Sequence, residues 1–356
     1  MAGLYVHFPF CASKCIYCDF YARVRKDWKP YVEALLQEIR ERADELSVPP
    51  ATLYFGGGTP SLLPFPLLER VAQACRETFH VPAFAEFTVE VNPDDVTPAL
   101  AAALRGMGVS RVSMGVQSFH DAQLRWMRRR HTAAQADEAF RRLREAGFDN
   151  LSLDLIFGFQ GLSDADWLTS VERALALRPE HISCYQMMGR WSDPDQDRCR
   201  RQYTLLQQRL SEAGYTQYEI SNYALPGFES RHNSAYWART PYLGFGAGAH
   251  SFDGHRRRSW NTPDIDTYCA ARPGDCEILS DIEVFEEKLM LSLRTVRGLD
   301  YALLSEAEKE LLNKTALEEL SRAGQLVQSS YGIRIPENEL FVSDGIISRL
   351  FPACTA

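Results

Sequence analysis

The chain has no apolar run long enough to cross a bilayer, no basic leader ahead of its first strand-like segment, and no excess of positive charge. A membrane-spanning segment of about 20 apolar residues is therefore not expected, nor is a secretory signal, and the cytoplasm is the expected location. Against 47 acidic residues stand 39 lysines and arginines, a net charge of −8. Nucleic acid held mainly through phosphates is not expected of such a chain, and the arginine runs at 128–130 and 256–258 read as solvated loops or helix ends. Paired cysteine knuckles are also missing. Of nine cysteines, only Cys11, Cys15 and Cys18 cluster; Cys75, Cys184, Cys199, Cys269, Cys276 and Cys354 are scattered. A structural zinc site usually needs a second pair, and a disulfide framework does not suit an odd number of cysteines without an export signal.

What is present is the spacing Cys11-x3-Cys15-x2-Cys18 in LYVHFPFCASKCIYCDF. Iron–sulfur cubanes normally take four cysteine thiolates; three from one loop would leave one iron open to a ligand. A zinc ion or plain thiols remain alternatives on spacing alone. Phe20 stands where a fourth nearby thiol would fall.

Composition, 45% hydrophobic and 24% charged over 356 residues, fits a large folded domain with a smaller companion. Strands are expected at 4–8, 51–56, 86–91, 111–117, 150–157 and 181–187. Helices are expected at 31–46, 66–78, 97–104, 133–146, 164–177 and 198–213. Six βα units in succession imply a parallel sheet and a partial (β/α)6 TIM-like barrel, two units short of closure. In such folds chemistry gathers at the C-terminal ends of the strands. The cysteine loop falls there, with 56–60 (GGGTP), Glu90, Asn92, Gln117 and Asp154. The glycine- and aromatic-rich stretch 219–255 shows no helical period and reads as loops and short strands. Helical runs resume from Phe285 and end in a hairpin-like tail, suggesting a small α+β domain of winged-helix type. The expected division is 1–235, a connecting segment 236–284, and a C-terminal domain 285–356.

With the cysteine triplet, GGGTP and the strand-end polar residues in this order, the chain resembles the radical SAM enzymes. More narrowly it resembles the oxygen-independent coproporphyrinogen oxidase branch and its heme chaperones, over essentially the whole length. The resemblance implies a [4Fe-4S] cluster on Cys11, Cys15 and Cys18, with S-adenosylmethionine (SAM) chelating the open iron. By the same resemblance a reduced cluster would supply the electron that cleaves the sulfonium C–S bond, giving a deoxyadenosyl radical. It further implies that Gly57 and Gly58, lacking Cβ, let the backbone approach the methionyl amino group, with Thr59 adding a hydroxyl. Glu90 would serve the ribose or methionyl groups, Gln117 and Asp154 the ribose, Arg129 the carboxylate, and Tyr5 and Tyr17 would pack near the adenosine.

Two features favour the chaperones over the oxidase. The oxidase carries a further cysteine at the position of Phe20, and SRHNSAYW at 230–237 holds the H-N-x-x-Y-W pattern of the chaperones. By that resemblance His232 would ligate heme iron, with Tyr236 and Trp237 against the porphyrin; His250 would be a second heme contact or lie near the SAM pocket, and His7 a packed strand residue. The implied function is a carrier that delivers heme to apo-hemoproteins, respiratory ones included, which leaves room for peripheral membrane contact. The competing function is oxidative decarboxylation of coproporphyrinogen III in porphyrin biosynthesis.

Overall fold

The computed structural model describes residues 2–25 and 27–352; Cys354 lies outside them. Six strands pair in parallel and in sequence order: β1 (Ala2–Phe8), β2 (Pro50–Gly57), β3 (Glu86–Val91), β4 (Arg111–Gln117), β5 (Leu151–Phe157) and β6 (His181–Gln186). β1, β3, β4 and β5 are buried along nearly their whole length, as strands covered on both faces must be, while β2 and β6 are buried less completely. Phe8, Phe55 and Phe87 meet edge to face across the first three strands at 5.1 and 4.9 Å, an arrangement favoured by the ring quadrupoles.

The helices α1 (Trp28–Glu41), α2 (Phe65–Thr78), α3 (Pro98–Gly106), α4 (Asp121–Trp126), α5 (Ala133–Glu145), α6 (Asp164–Leu177) and α7 (Gln196–Glu212) follow these strands. In α1 the buried side is Tyr31, Val32, Leu35, Leu36 and Ile39, one stripe at helical spacing. Residues 42–46, expected to continue that helix, instead form a short 3-10 turn at Ala43–Glu45. A capping box of Thr132 and Gln135 fixes the start of α5. The short α4 was not expected; its six residues carry too little periodicity to stand out.

The sheet runs on past both ends of the parallel core to 12 strands. Beyond β6 lie β7 (Thr216–Gln217) and β8 (Asn222–Ala224), antiparallel. On the other side β9 (Tyr242–Phe245) joins β1 in parallel, followed by antiparallel β10 (His250–Phe252), β11 (Arg257–Asn261) and β12 (Gly274–Ile278). Between β8 and β9 stands α8 (Arg231–Trp237), and α9 (Ile265–Ala271) precedes β12. The stretch 219–255 therefore differs from expectation in holding a helix. Ser230 caps α8 through its hydroxyl, and the Glu86 carboxylate accepts from the backbone N–H of Arg231 and of His232, each at 2.9 Å. A carboxylate at a helix start satisfies free donors and the helix dipole together.

The C-terminal part runs α10 (Asp281–Leu293), β13 (Leu299–Asp300), α11 (Glu306–Leu311), α12 (Lys314–Arg322), β14 (Val327–Gln328), β15 (Gly332–Arg334) and α13 (Ser343–Leu350). Its three strands form one small sheet in the order β13-β15-β14. Helix, strand, two helices and a hairpin is the winged-helix order, extended by α13. Among the described residues no helix is long and apolar enough to cross a membrane.

Candidate functional site

A cavity of about 440 Å³ opens at the C-terminal ends of the six parallel strands. Its wall takes Cys11, Cys15, Tyr17 and Cys18 from the loop after β1, Gly57–Thr59 after β2, Glu90 and Asn92 from the end of β3, Gln117 from β4, Asp154 from β5, and Arg129 from the loop before α5. Eleven of the residues expected to hold cluster and SAM are thus brought together. Tyr5 is not among them: it sits one layer back, its ring 6.0 Å from that of Tyr54 and its hydroxyl 2.9 Å from His7 Nδ1. His7 is a packed strand residue, its other ring nitrogen 2.8 Å from the Tyr21 carbonyl; burial lowers its pKa to about 4.

The cysteine loop is held by the strap that follows β2. Gly58 N–H donates to the Phe8 carbonyl at 2.9 Å, and Thr59 N–H to the Phe10 carbonyl at 2.7 Å. A Cβ on Gly58 would lie 2.6 Å from both of those oxygens, and one on Gly57, at φ +102°, would lie 2.4 Å from the His7 ring. Glycine at 57 and 58 is therefore required by chain packing on chain, in addition to any approach of a ligand. Both still line the cavity.

Three thiols face this cavity, and all eight cysteines of the described residues are free. Thr59 Oγ1 donates to Cys11 Sγ at 3.7 Å, and Arg129 Nη1 to Cys15 Sγ at the same distance. Burial raises the pKa values of Cys11 and Cys18 above the ordinary thiol value. Among the described residues no three His, Cys, Asp or Glu side chains converge on a single ion.

Glu90 is held by the Tyr54 hydroxyl at 2.7 Å and the Gly57 N–H at 3.1 Å; burial outweighs these donors and raises its pKa to about 7. Asp154 accepts from Ser113 Oγ at 3.0 Å, and burial raises its pKa too. Gln117 has φ +73° at a register shift between β4 and β5. A non-glycine residue in that region stores strain of about 1–2 kcal/mol, which marks functional walls more often than plain sheet. Arg129 donates to Asn92 Oδ1 at 2.5 Å, to the Gly115 carbonyl and to the Tyr17 hydroxyl, leaving only Nε without a partner among the described residues. Its fork is thus already engaged by protein rather than open to a carboxylate.

The expected heme motif is placed differently. His232 is 2% exposed; its Nδ1 lies 2.8 Å from Thr52 Oγ1 and its Nε2 2.9 Å from the Tyr236 hydroxyl. Burial, then the Arg111 charge, lowers its pKa to about 3. With both nitrogens bonded and no cavity face, its imidazole is not presented to a heme iron, contrary to expectation. It stacks instead on Tyr54 at 5.1 Å and so backs the side chain that holds Glu90. Of the motif only Asn233 lines the cavity; Tyr236 lines a separate, smaller pocket, and Trp237 is half-buried on α8. His250 is exposed on β10 against Trp260, outside the cavity wall.

Residues to which no ligand contact was assigned also shape the site. Asn92 bridges Thr59 and Arg129, Tyr54 holds Glu90, and Arg111 lines the cavity from the first position of β4. A cation opening the otherwise uncharged strand RVSMGVQ was the available signal for the last. Around the mouth, Phe20 is 66% and Met188 74% exposed, with Tyr185 beside them.

The family model for the radical SAM superfamily matches residues 5–174, and that for the HemN C-terminal domain matches 279–342. A curated heme chaperone HemW of Lactococcus lactis is 35% identical over 315 residues, 83% of this chain and 82% of that one. HemW of Bacillus subtilis is 33% identical over 359 residues, 94% of each chain. The mouse mitochondrial radical S-adenosyl methionine domain-containing protein 1 is 31% identical, covering 99% of this chain and 87% of its own. Among solved structures, coproporphyrinogen III oxidase (HemN) of Escherichia coli superposes with a TM-score of 0.83 at 23% identity, over 98% of this chain and 89% of that one. At that identity the likeness establishes the fold alone. By its motifs, fold and identity over most of its length, the chain belongs to the HemW family of the radical SAM superfamily.

Proposed function

We propose that this chain is a radical SAM heme chaperone, which binds a [4Fe-4S] cluster, SAM and heme and passes heme to acceptor hemoproteins. In this reading Cys11, Cys15 and Cys18 hold the cluster, which when bound supplies a single electron to the SAM sulfonium. Glu90 and Asp154 bind the cationic and hydroxyl groups of SAM, Gln117 orients its ribose, and Tyr17 packs against it. The tight strap at Gly57–Thr59 keeps the cysteine loop in register with these groups.

The observation that carries the cargo assignment is the cavity mouth. Large apolar side chains exposed to this degree beside a functional cavity suit a broad apolar ligand better than they suit water. Lys14 and Arg128 stand exposed on the same rim, where they complement the propionates of a heme. The HemW relatives, named heme chaperones, support the same cargo. Free cysteines throughout the described residues support a reducing, cytoplasmic location.

The test is spectroscopic. Hemin added to the cluster-reconstituted protein should give a saturable Soret shift. The same protein incubated anaerobically with coproporphyrinogen III, SAM and reductant should leave that substrate unchanged. Formation of protoporphyrinogen would replace the carrier reading with the oxidase one.

A further inference from the structure

We propose that Arg111 is an anchor for a carboxylate of the molecule that occupies the cavity. Its side chain is 1% exposed, yet it lines the cavity wall. Only Nη2 has a partner, His181 Nδ1 at 3.1 Å; Nε and Nη1 have none among the described residues. His181 offers no counter-charge. Its Nδ1 also lies 2.8 Å from Ser152 Oγ and its Nε2 2.7 Å from the Tyr218 hydroxyl. Accepting from Arg111 requires a neutral ring, in keeping with a pKa that burial lowers well below the ordinary value.

A guanidinium stays charged at any pH a protein experiences, and a buried charge without a partner is strongly unfavourable. The neighbouring strand repeats the pattern. Thr88, in register with Arg111 across β3 and β4, is fully buried and its hydroxyl has no partner among the described residues. Successive strands thus turn an unpartnered donor pair and an unpartnered hydroxyl to the same face of the sheet. Glu90 and Asp154 feel the Arg111 charge, but their hydrogen bonds come from Tyr54, Gly57 and Ser113, so neither carboxylate occupies its free donors. Arg129, by contrast, is already saturated except at Nε. A carboxylate reaching the cavity floor would find free donors at Arg111 and not at Arg129.

Two ligands of this family carry such a group: the methionyl carboxylate of SAM and a propionate of heme. The second identification rests on the heme-carrier reading; the anion site does not. The parent, Arg111→Met and Arg111→Lys, each cluster-reconstituted, are titrated with SAM, with hemin, and with hemin dimethyl ester, which lacks free carboxylates. Arg111→Lys keeps a charge and a long stem and serves if the methionine variant does not fold. The expected result is a tenfold or greater loss of affinity for one ligand. Loss for SAM alone identifies the methionyl carboxylate. Loss for hemin, with the dimethyl ester bound equally by parent and variant, identifies a propionate. Parent-like affinity for both SAM and hemin in the variants overturns the proposal and leaves Arg111 a buried counter-charge. If the parent binds no hemin, the carrier reading fails while the SAM arm still decides the site.

Discussion

Glu90 offers a quantitative test of the cavity electrostatics. Its pKa rises from 4.5 to about 7, burial being the main cause and the Tyr54 and Gly57 donors opposing it. Because the folded-state pKa is raised, the folded chain holds this proton more tightly than the unfolded one. The contribution to stability is complete below pH 4.5 and is lost as pH rises through about 7. Such a displacement corresponds to about 3 kcal/mol, and water in the open cavity reduces it to about 2 kcal/mol. Glu90→Gln keeps an acceptor for the Tyr54 hydroxyl and for Gly57 N–H but removes the titration. Urea unfolding of both proteins at pH 5 and pH 8, without ligands, should show the variant gaining about 2 kcal/mol on the parent between the two. Glu219, also raised to about 7, is common to both and cancels. Adding SAM, a cation at its sulfonium and ammonium groups, should favour the ionised carboxylate and tighten binding as pH rises through 7 in the parent but not in the variant. Equal pH dependence of the two proteins, with and without SAM, would refute both the burial of Glu90 and its place at the ligand.

Gly58→Ala sets a methyl 2.6 Å from the carbonyls of Phe8 and Phe10. These are backbone atoms and cannot swing aside, so the expected cost is about 2–4 kcal/mol, read as a lower urea midpoint and reduced iron content after reconstitution. His232→Ala leaves the Thr52 and Tyr236 hydroxyls without partners and opens a cavity behind Tyr54. A loss of about 3 kcal/mol is expected in urea unfolding, with weaker SAM binding as Tyr54 loses its support; hemin affinity, by the geometry of this site, should persist.

The parallel core was legible because two-sided burial writes itself as short apolar runs: EFTVEV and RVSMGVQ have the expected bounds in the structure. The cavity was legible for a related reason, since strand ends in a barrel converge whatever the side chains. What could not be read depends on partners far away in sequence. RHNSAYW has no apolar period and forms a helix because Glu86, some 145 residues earlier, accepts its first donors. The pairing of β9 with β1 joins segments at opposite ends of the barrel region. The burial of His232 and the free nitrogens of Arg111 likewise exist only once Thr52, Tyr236 and His181 are in place. A histidine motif names a residue type at a position; tertiary packing decides which way the imidazole faces.

Carriage, as distinct from catalysis, requires that heme leave the chain intact. Protein reconstituted with its cluster and loaded with hemin is mixed with an apo-hemoprotein, with and without SAM, and the two heme spectra are followed. The account predicts that the acceptor gains holo absorbance as the carrier loses its own, with total heme unchanged. Heme that stays on the chain, or that is chemically altered before release, would contradict it.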